Sequence, residues 1–254
     1  MTRLNTSKIA KMAGCHPNTV RLYEELGYLP PVLRSKNGYR MFAQEHLDQM
    51  ILARNALNGD FAGKPIRNSA KMLIFTAASG DLEAAIQHAY KHLQLVRSEI
   101  EQANLAIEFV EDWANGNRHF SKEIFLQTTE TSRLLNVTVD CLRTWERNGL
   151  INVPRNSANK YRFYGPYEIS RLRVIRMLRT AGYSIMAILR MLRRLDNGQT
   201  RGLAKIVDTP EANEDFFTAA DQWITTLSKQ GEKALLLIRL LEERNKHLIA
   251  NSDI

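Results

Sequence analysis

"HPNTVRLYEELGYLPPVLRSKNGYRMF" occupies residues 16–42 and reads as a helix, a stop, a proline pair and a hairpin. Pro17 suits the first helical position, where its missing N–H would be unpaired anyway, and Gly27 suits the residue just past the helix end. Asn37-Gly38 is a strong two-residue hairpin signal, because both residues tolerate positive φ. The hairpin carries Arg34, Lys36, Tyr39 and Arg40, a set too polar for a core. Upstream, Thr6 is placed to cap a short helix, "SKIAKMA", and Gly14 suits a left-handed turn before the second helix. Two short helices joined by a tight turn make a helix-turn-helix.

The same layout returns 122 positions later. Thr6 meets Thr128, Gly14 meets Asn136, Arg21 meets Arg143, Tyr23 meets Trp145 and Glu24 meets Glu146. Gly27 then meets Gly149, Asn37 meets Asn159, Tyr39 meets Tyr161, Arg40 meets Arg162 and Phe42 meets Tyr164, with no gap in register. We read this as an internal duplication. In the second copy Thr138 is placed to cap a helix that stops at Gly149. Two amphipathic helices follow, with Ile169, Leu172, Ile175 and Leu178 on one face and Ile185, Ile188, Leu192 and Leu195 on another. The matching "AGKPIRNSAKML" of the first copy is less apolar.

Charge follows the repeat. The net charge is +8 with a pI near 9.6. Residues 1–75 hold 11 Lys/Arg against 5 Asp/Glu, and residues 120–200 hold 14 against 6. Residues 76–119 (3 against 7) and 201–254 (7 against 9) are acidic. Basic modules favour polyanions, because neutralising phosphates releases condensed counterions. Apolar content of 44% and sparse Gly and Pro fit a folded, mostly helical chain. The longest apolar run, Ala234–Ile238, is too short to span a bilayer, and no basic-then-apolar leader opens the chain, so a soluble cytoplasmic protein is expected.

Residues 16–42, and more loosely "TVDCLRTWERNGLINVPRNSANKYRFY" (138–164), resemble the DNA-binding domain of the mercury-resistance (MerR) regulator family, closest to its copper-efflux branch. The resemblance covers roughly 1–75 and 123–196. It implies winged helix-turn-helix domains, pseudo-palindromic double-stranded promoter DNA bound by a dimer, and RNA polymerase as a partner at the promoter. In the first copy, Asn18, Thr19 and Arg21 match groove-facing positions, Tyr23 a backbone contact, and Arg34, Lys36, Tyr39 and Arg40 the wing. In the second copy the corresponding residues are Asp140, Cys141, Arg143 and Trp145, with Arg155, Lys160, Tyr161 and Arg162. Other readings stand beside these. Tyr23 and Trp145 also suit a core, Tyr39 and Tyr161 also suit packing under their hairpins, and Arg21 also suits an i,i+4 pair with Glu25. Asp140 in place of Asn18, and Lys160 in place of a turn glycine, predict two readers with different half-site preferences.

The acidic segments carry heptad seams. Apolar residues fall at Leu82, Ile86, Ala89, Leu93, Val96, Ile100, Ala103, Ile107, Val110 and Ala114. A second run falls at Phe217, Ala220, Ile224, Leu227, Gly231, Ala234, Ile238, Leu241, Asn245 and Leu248. Steps of four and three predict coiled-coil helices about 50 Å long. The expected order is a DNA-binding domain over 1–75, a long helix over 81–114 and a linker over 115–119. A second domain over 120–197, a loop over 198–211 and a second long helix over 212–250 follow. The fold class is mostly α, two winged helix-turn-helix domains each followed by a long coiled-coil helix. Family members pair such helices between subunits, so one chain is expected to form a pseudo-dimer, with a homodimer through the coiled-coil helices as the other assembly.

Cys15 and Cys141 both lie in the repeated modules, so the cysteine-bearing loop of the metal-sensing relatives has no counterpart, and neither a metal nor a cofactor is expected. His88 and His92 are spaced i,i+4 but have no evident third ligand. Tyr90, Phe109, Trp113, Phe216 and Trp223 suit either core packing or a small ligand site near the coil. No nucleophile-base pair, phosphate loop or paired carboxylates stand out, so no enzyme is expected. A transcription regulator is the favoured reading. An architectural DNA-bending or excisionase-like factor and a small-molecule-sensing regulator are the alternatives.

Overall fold

The first copy folds as α1 (Thr6–Met12), α2 (Pro17–Glu25), β1 (Leu33–Arg34), β2 (Arg40–Met41), α3 (Gln44–Leu57) and α4 (Gly63–Ala78). This is a computed structural model that describes residues 4–59, 63–116, 125–210 and 219–252. The cap of α1 is Asn5 rather than Thr6: Asn5 Oδ1 accepts the Lys8 N–H at 2.8 Å. Asn is the stronger cap, so the helix starts one residue earlier than Thr6 predicts. Gly14 and Gly27 take φ of +63° and +72°, as their places demand. The wing differs from the two-residue turn expected at Asn37-Gly38. The Gly38 N–H donates to the Ser35 carbonyl and the Ser35 N–H to that of Tyr39, at 2.9 and 2.8 Å. Gly38 has positive φ and Asn37 does not. The loop is therefore three residues with one left-handed position, the next commonest hairpin connection.

The second copy folds as β3 (Leu126–Gln127), α6 (Thr128–Leu135), α7 (Val139–Arg147), β4 (Phe163–Tyr164), α8 (Pro166–Thr180) and α9 (Ile185–Asp196). Leu126 pairs with Tyr164 just as Leu4 pairs with Phe42. Gln127 occupies the cap position of α6, and its N–H is held by Glu130 Oε2 at 2.8 Å, so this helix too starts ahead of the expected Thr128 cap. Thr138 caps α7 as expected, its Oγ1 accepting the Cys141 N–H at 3.1 Å. Asn136 and Gly149 take positive φ, matching Gly14 and Gly27.

The gapless register fails locally. Arg34 pairs with Arg40, but it is Arg155, not Asn156, that pairs with Arg162. The second wing closes on Asn156 and Tyr161, at 2.9 Å, with Lys160 at φ +58° in the place of Gly38. One residue is missing before the wing and one is added in its loop, so the two copies return to step by Tyr161. Segment 198–211, expected as a loop, contains α10 (Leu203–Val207). Leu203 and Val207 are fully buried, and Arg190 of α9 donates to the Ile206 carbonyl at 2.8 Å, so packing rather than propensity makes this helix.

The chain divides into two compact units, Met1–Ser98 with Leu227–Ile254, and Glu99–Thr226. The division cuts through both long helices, α5 (Leu82–Ala114) and α11 (Trp223–Ser252), the latter preceded by a 3-10 turn at Ala219–Gln222. In the first unit Leu82, Ala85, Ala89 and Leu93 of α5 join Ala234, Leu237, Ile238 and Leu241 of α11 in one buried cluster. Leu52, Ala53 and Ala56 of α3 and Leu73, Ile74 and Ala77 of α4 complete it. The seam therefore packs both against a partner helix and against the first module. The helices run antiparallel: Val96 lies beside Gly231, and Tyr90 Oη donates to Glu242 Oε1 at 2.9 Å. Each fully buried Leu or Ile there contributes about 1.5–3 kcal/mol. Asn245 is half-buried and Leu248 is 50% exposed, so the seam fades before the end of α11.

In the second unit Ala103, Ala106, Ile107 and Val110 of α5 are buried, and Tyr183 Oη donates to the Ala103 carbonyl at 3.4 Å. Phe216 and Phe217, and residues 117–119 of the expected linker, lie outside the described residues. Among the described residues no helix is long and apolar enough to cross a membrane.

Candidate nucleic-acid interface

Each module presents one exposed helix face and one exposed hairpin. On α2, Asn18 and Arg21 stand one turn apart in solvent, and Arg21 Nη1 donates to Asn18 Oδ1 at 3.0 Å. On α7, Arg143 Nη1 reaches Asp140 Oδ1 at 3.5 Å. Arg21 thus turns towards Asn18, and the homologous pair forms in the second copy. The second-copy pair is an ion pair, the first an amide contact, so the two faces offer different donors and acceptors. Thr19 and Cys141 are half-buried beside them. Burial pushes the Cys141 thiol up despite the nearby Arg179 guanidinium, so this cysteine is not an activated nucleophile.

The wings carry their charge outward. Tyr39 is 75% exposed and Tyr161 is 67% exposed, so neither packs under its own hairpin. Lys36 and Lys160 are exposed at the two tips. Arg34 and Arg40 face each other across the first wing and both bind Glu24 of α2, Arg34 Nη2 to Oε1 at 2.7 Å and Arg40 Nε to Oε2. The second wing repeats this: Arg162 Nε meets Glu146 Oε2 at 2.7 Å and Arg155 Nη2 lies 4.0 Å from Oε1.

The paired aromatics part company. Tyr23 is half-buried and edge-on to Tyr28, ring centroids 5.5 Å apart, and burial pushes its phenol up. Trp145 is only 3% exposed. It is a core side chain, and the expected backbone contact is corrected there: an indole is large and apolar enough to be drawn inward where a tyrosine keeps its polar end at the surface.

Sequence reasoning missed the polar anchors behind this surface. Gln49 Nε2 donates to the carbonyls of Tyr28 and Ile74 at 3.1 and 3.0 Å, and its Oε1 accepts from Arg244 of α11 at 2.7 Å. At the same offset, Arg171 donates through Nε to the Leu150 carbonyl at 2.7 Å and grips Asp196 with both terminal nitrogens, at 2.6 and 2.9 Å. Both anchors hold the first carbonyl after the glycine that ends the exposed helix. The signal available was a buried-face position, 49 and 171, occupied by a polar residue in both copies.

Cys15 and Cys141 lie in different units, His92 is buried with Nδ1 lacking a hydrogen-bond partner, and His88 is half-buried. Among the described residues no three His, Cys, Asp or Glu side chains group as a metal site. The aromatics set apart in the sequence disperse. Tyr90 is exposed, Trp113 half-buried and Trp223 buried against Gly182, while Phe109 lines a cavity of about 610 Å³ in the second unit.

Two family matches fall on the two modules. Residues 126–195 match the MerR HTH family regulatory protein and residues 5–42 the MerR family regulatory protein. The HTH-type transcriptional regulator CueR of Escherichia coli is 43% identical over 53 residues, 21% of this chain and 39% of that protein. CueR of Vibrio cholerae is 28% identical over 111 residues, 43% of this chain and 78% of that protein. The HTH-type transcriptional regulator ZntR homolog of Haemophilus influenzae is 29% identical over 104 residues, 41% and 76% of the two chains. The chain thus spans about two fifths of the Escherichia coli relative's length. No solved structure matches.

Proposed function

We propose that this chain, which carries two MerR-family regions in tandem, is a DNA-binding transcriptional regulator whose two unlike readers serve one asymmetric promoter site. The observation that carries the reading is the recurrence of one surface in both units. Each has an exposed Arg on the second helix, an exposed Tyr on the wing and two wing arginines bound to a glutamate of that helix. Phosphate contacts from the wing would set register while the helix reads base edges. Arg21 and Arg143 are the groove readers, Asn18 and Asp140 set their different preferences, and Arg34, Lys36, Tyr39, Arg40, Arg155, Lys160, Tyr161 and Arg162 contact the backbone. The pairing of α5 with α11 of the same chain in the first unit supports a pseudo-dimer that needs no second chain. At the promoter it would act with RNA polymerase.

Binding selection from random duplexes tests this. Two unlike half-sites at fixed spacing are expected. Arg21→Ala should relax one half and Arg143→Ala the other, each costing about 1–3 kcal/mol on its own half. A palindrome bound as tightly as any selected site, or variants that bind like the parent, contradicts the assignment.

A small-molecule effector is a second reading, favoured by the cavity between α5, α6 and α8 in the second unit. Leu105, Phe109, Leu134 and Met177 give it apolar walls, and its volume is in the range of ligand sites.

A further inference from the structure

Glu24 and Glu146 stand where a helix does not want a carboxylate. Both lie in the last turn, Glu24 next to the end of α2 and Glu146 next to the end of α7, where the helix dipole disfavours negative charge. The neighbouring position differs between the copies: Glu25 is matched by Arg147. The glutamate itself is the same in both copies, and its side chain is largely buried, 15% and 20% exposed.

What surrounds each carboxylate gives the reason. Arg34 and Arg40 are directly opposed across the first wing, and Arg155 and Arg162 across the second. Like charges directly opposite each other destabilise a strand pair. A single carboxylate between them removes that repulsion and ties the wing to the helix. Arg40 and Arg162 both bind through Nε, so among the described residues their terminal nitrogens stay unengaged and can meet a phosphate.

We propose that Glu24 and Glu146 are positioning residues that set specificity: each fixes two wing arginines relative to the reading helix and cancels one of their two charges. The proposal rests on the DNA-reader assignment. Holding the arginines in one geometry favours the operator, where phosphates lie in one register. Cancelling a charge holds down binding to arbitrary DNA, which depends on net phosphate neutralisation. A glutamate lost from either module should therefore damage discrimination rather than attraction.

The test compares parent, Glu24→Gln and Glu146→Gln on a selected duplex and a random duplex, as full-length chains, across a salt series. Each variant should lose about tenfold in the ratio of selected to random affinity. Random-duplex binding should hold or tighten, and its log K against log salt slope should steepen by about 0.9 as one more arginine meets a phosphate. Glu24→Asp and Glu146→Asp keep the charge but shorten the reach, so the ratio should fall without the steeper slope, and they carry the test if a Gln variant does not fold. A ratio unchanged in the variants overturns the proposal, as does a fall in thermal stability with both slopes and the ratio intact. A parent chain that prefers no duplex overturns the DNA-reader assignment itself, a separate result.

Discussion

Arg171→Met tests the anchor behind the second reader most sharply. Arg171 is 6% exposed and serves the Leu150 carbonyl, the Tyr167 hydroxyl and both oxygens of Asp196. Methionine keeps most of the buried stem volume, so packing loss is small. The Leu150 carbonyl, in a fully buried residue, loses its side-chain donor, which costs about 1–3 kcal/mol. Asp196 is 47% exposed and regains water, so the ion pair itself adds at most about 1 kcal/mol. A loss of about 1–4 kcal/mol is expected, which lowers the urea midpoint by about 0.5–2 M at an m-value of about 2 kcal/mol/M. All three tryptophans, Trp113, Trp145 and Trp223, lie in the second unit, so their fluorescence reports this unit alone. Asp196→Asn should cost under about 1 kcal/mol, because the half-exposed carboxylate is not what the anchor protects. An Arg171→Met loss below about 1 kcal/mol, or an Asp196→Asn loss equal to it, would refute the carbonyl-anchor reasoning.

Three further outcomes are expected. Burial holds the His92 imidazole below its ordinary value, so the unfolded chain takes up the proton first. Stability of the first unit should then be full above about pH 6.5 and fall as pH drops below it, a dependence absent in His92→Leu when followed by far-UV circular dichroism in urea. Gly182→Ala should cost more than about 3 kcal/mol by tryptophan fluorescence, since φ is +101° and the new Cβ would sit 2.3 Å from the Trp223 ring. Lys160→Gly, relieving a left-handed lysine, should stabilise the second unit by about 1 kcal/mol, whereas a side chain at Gly38 should cost a similar amount.

Much of the architecture was legible because local chemistry dictates it. Gly14, Asn136, Gly27 and Gly149 marked left-handed positions by residue type, and all four take them. Helical periodicity found α8 and α9 by their buried faces and much of α5 and α11 by their seams. What escaped notice depends on neighbours distant in sequence. Lys160 sits left-handed because the wing closes around it, against its own preference. α10 forms because α9 offers Arg190 to its carbonyls, and periodicity over five residues is too short to show it. Trp145 looked equivalent to Tyr23, yet only packing decides which aromatic goes inside. Glu24 and Glu146 were visible as a repeated residue, but their partners lie 9–16 positions away in another element.

The central claim is that one chain supplies a complete pair of readers. The most direct measurement is the mass of the complex on a selected duplex, by light scattering at micromolar protein, together with its footprint. One chain of 29.1 kDa per duplex, with both half-sites protected, is the predicted result. Two chains per duplex, from a free protein that stays dimeric on dilution, would contradict the claim and assign the coiled-coil helices to pairing between chains.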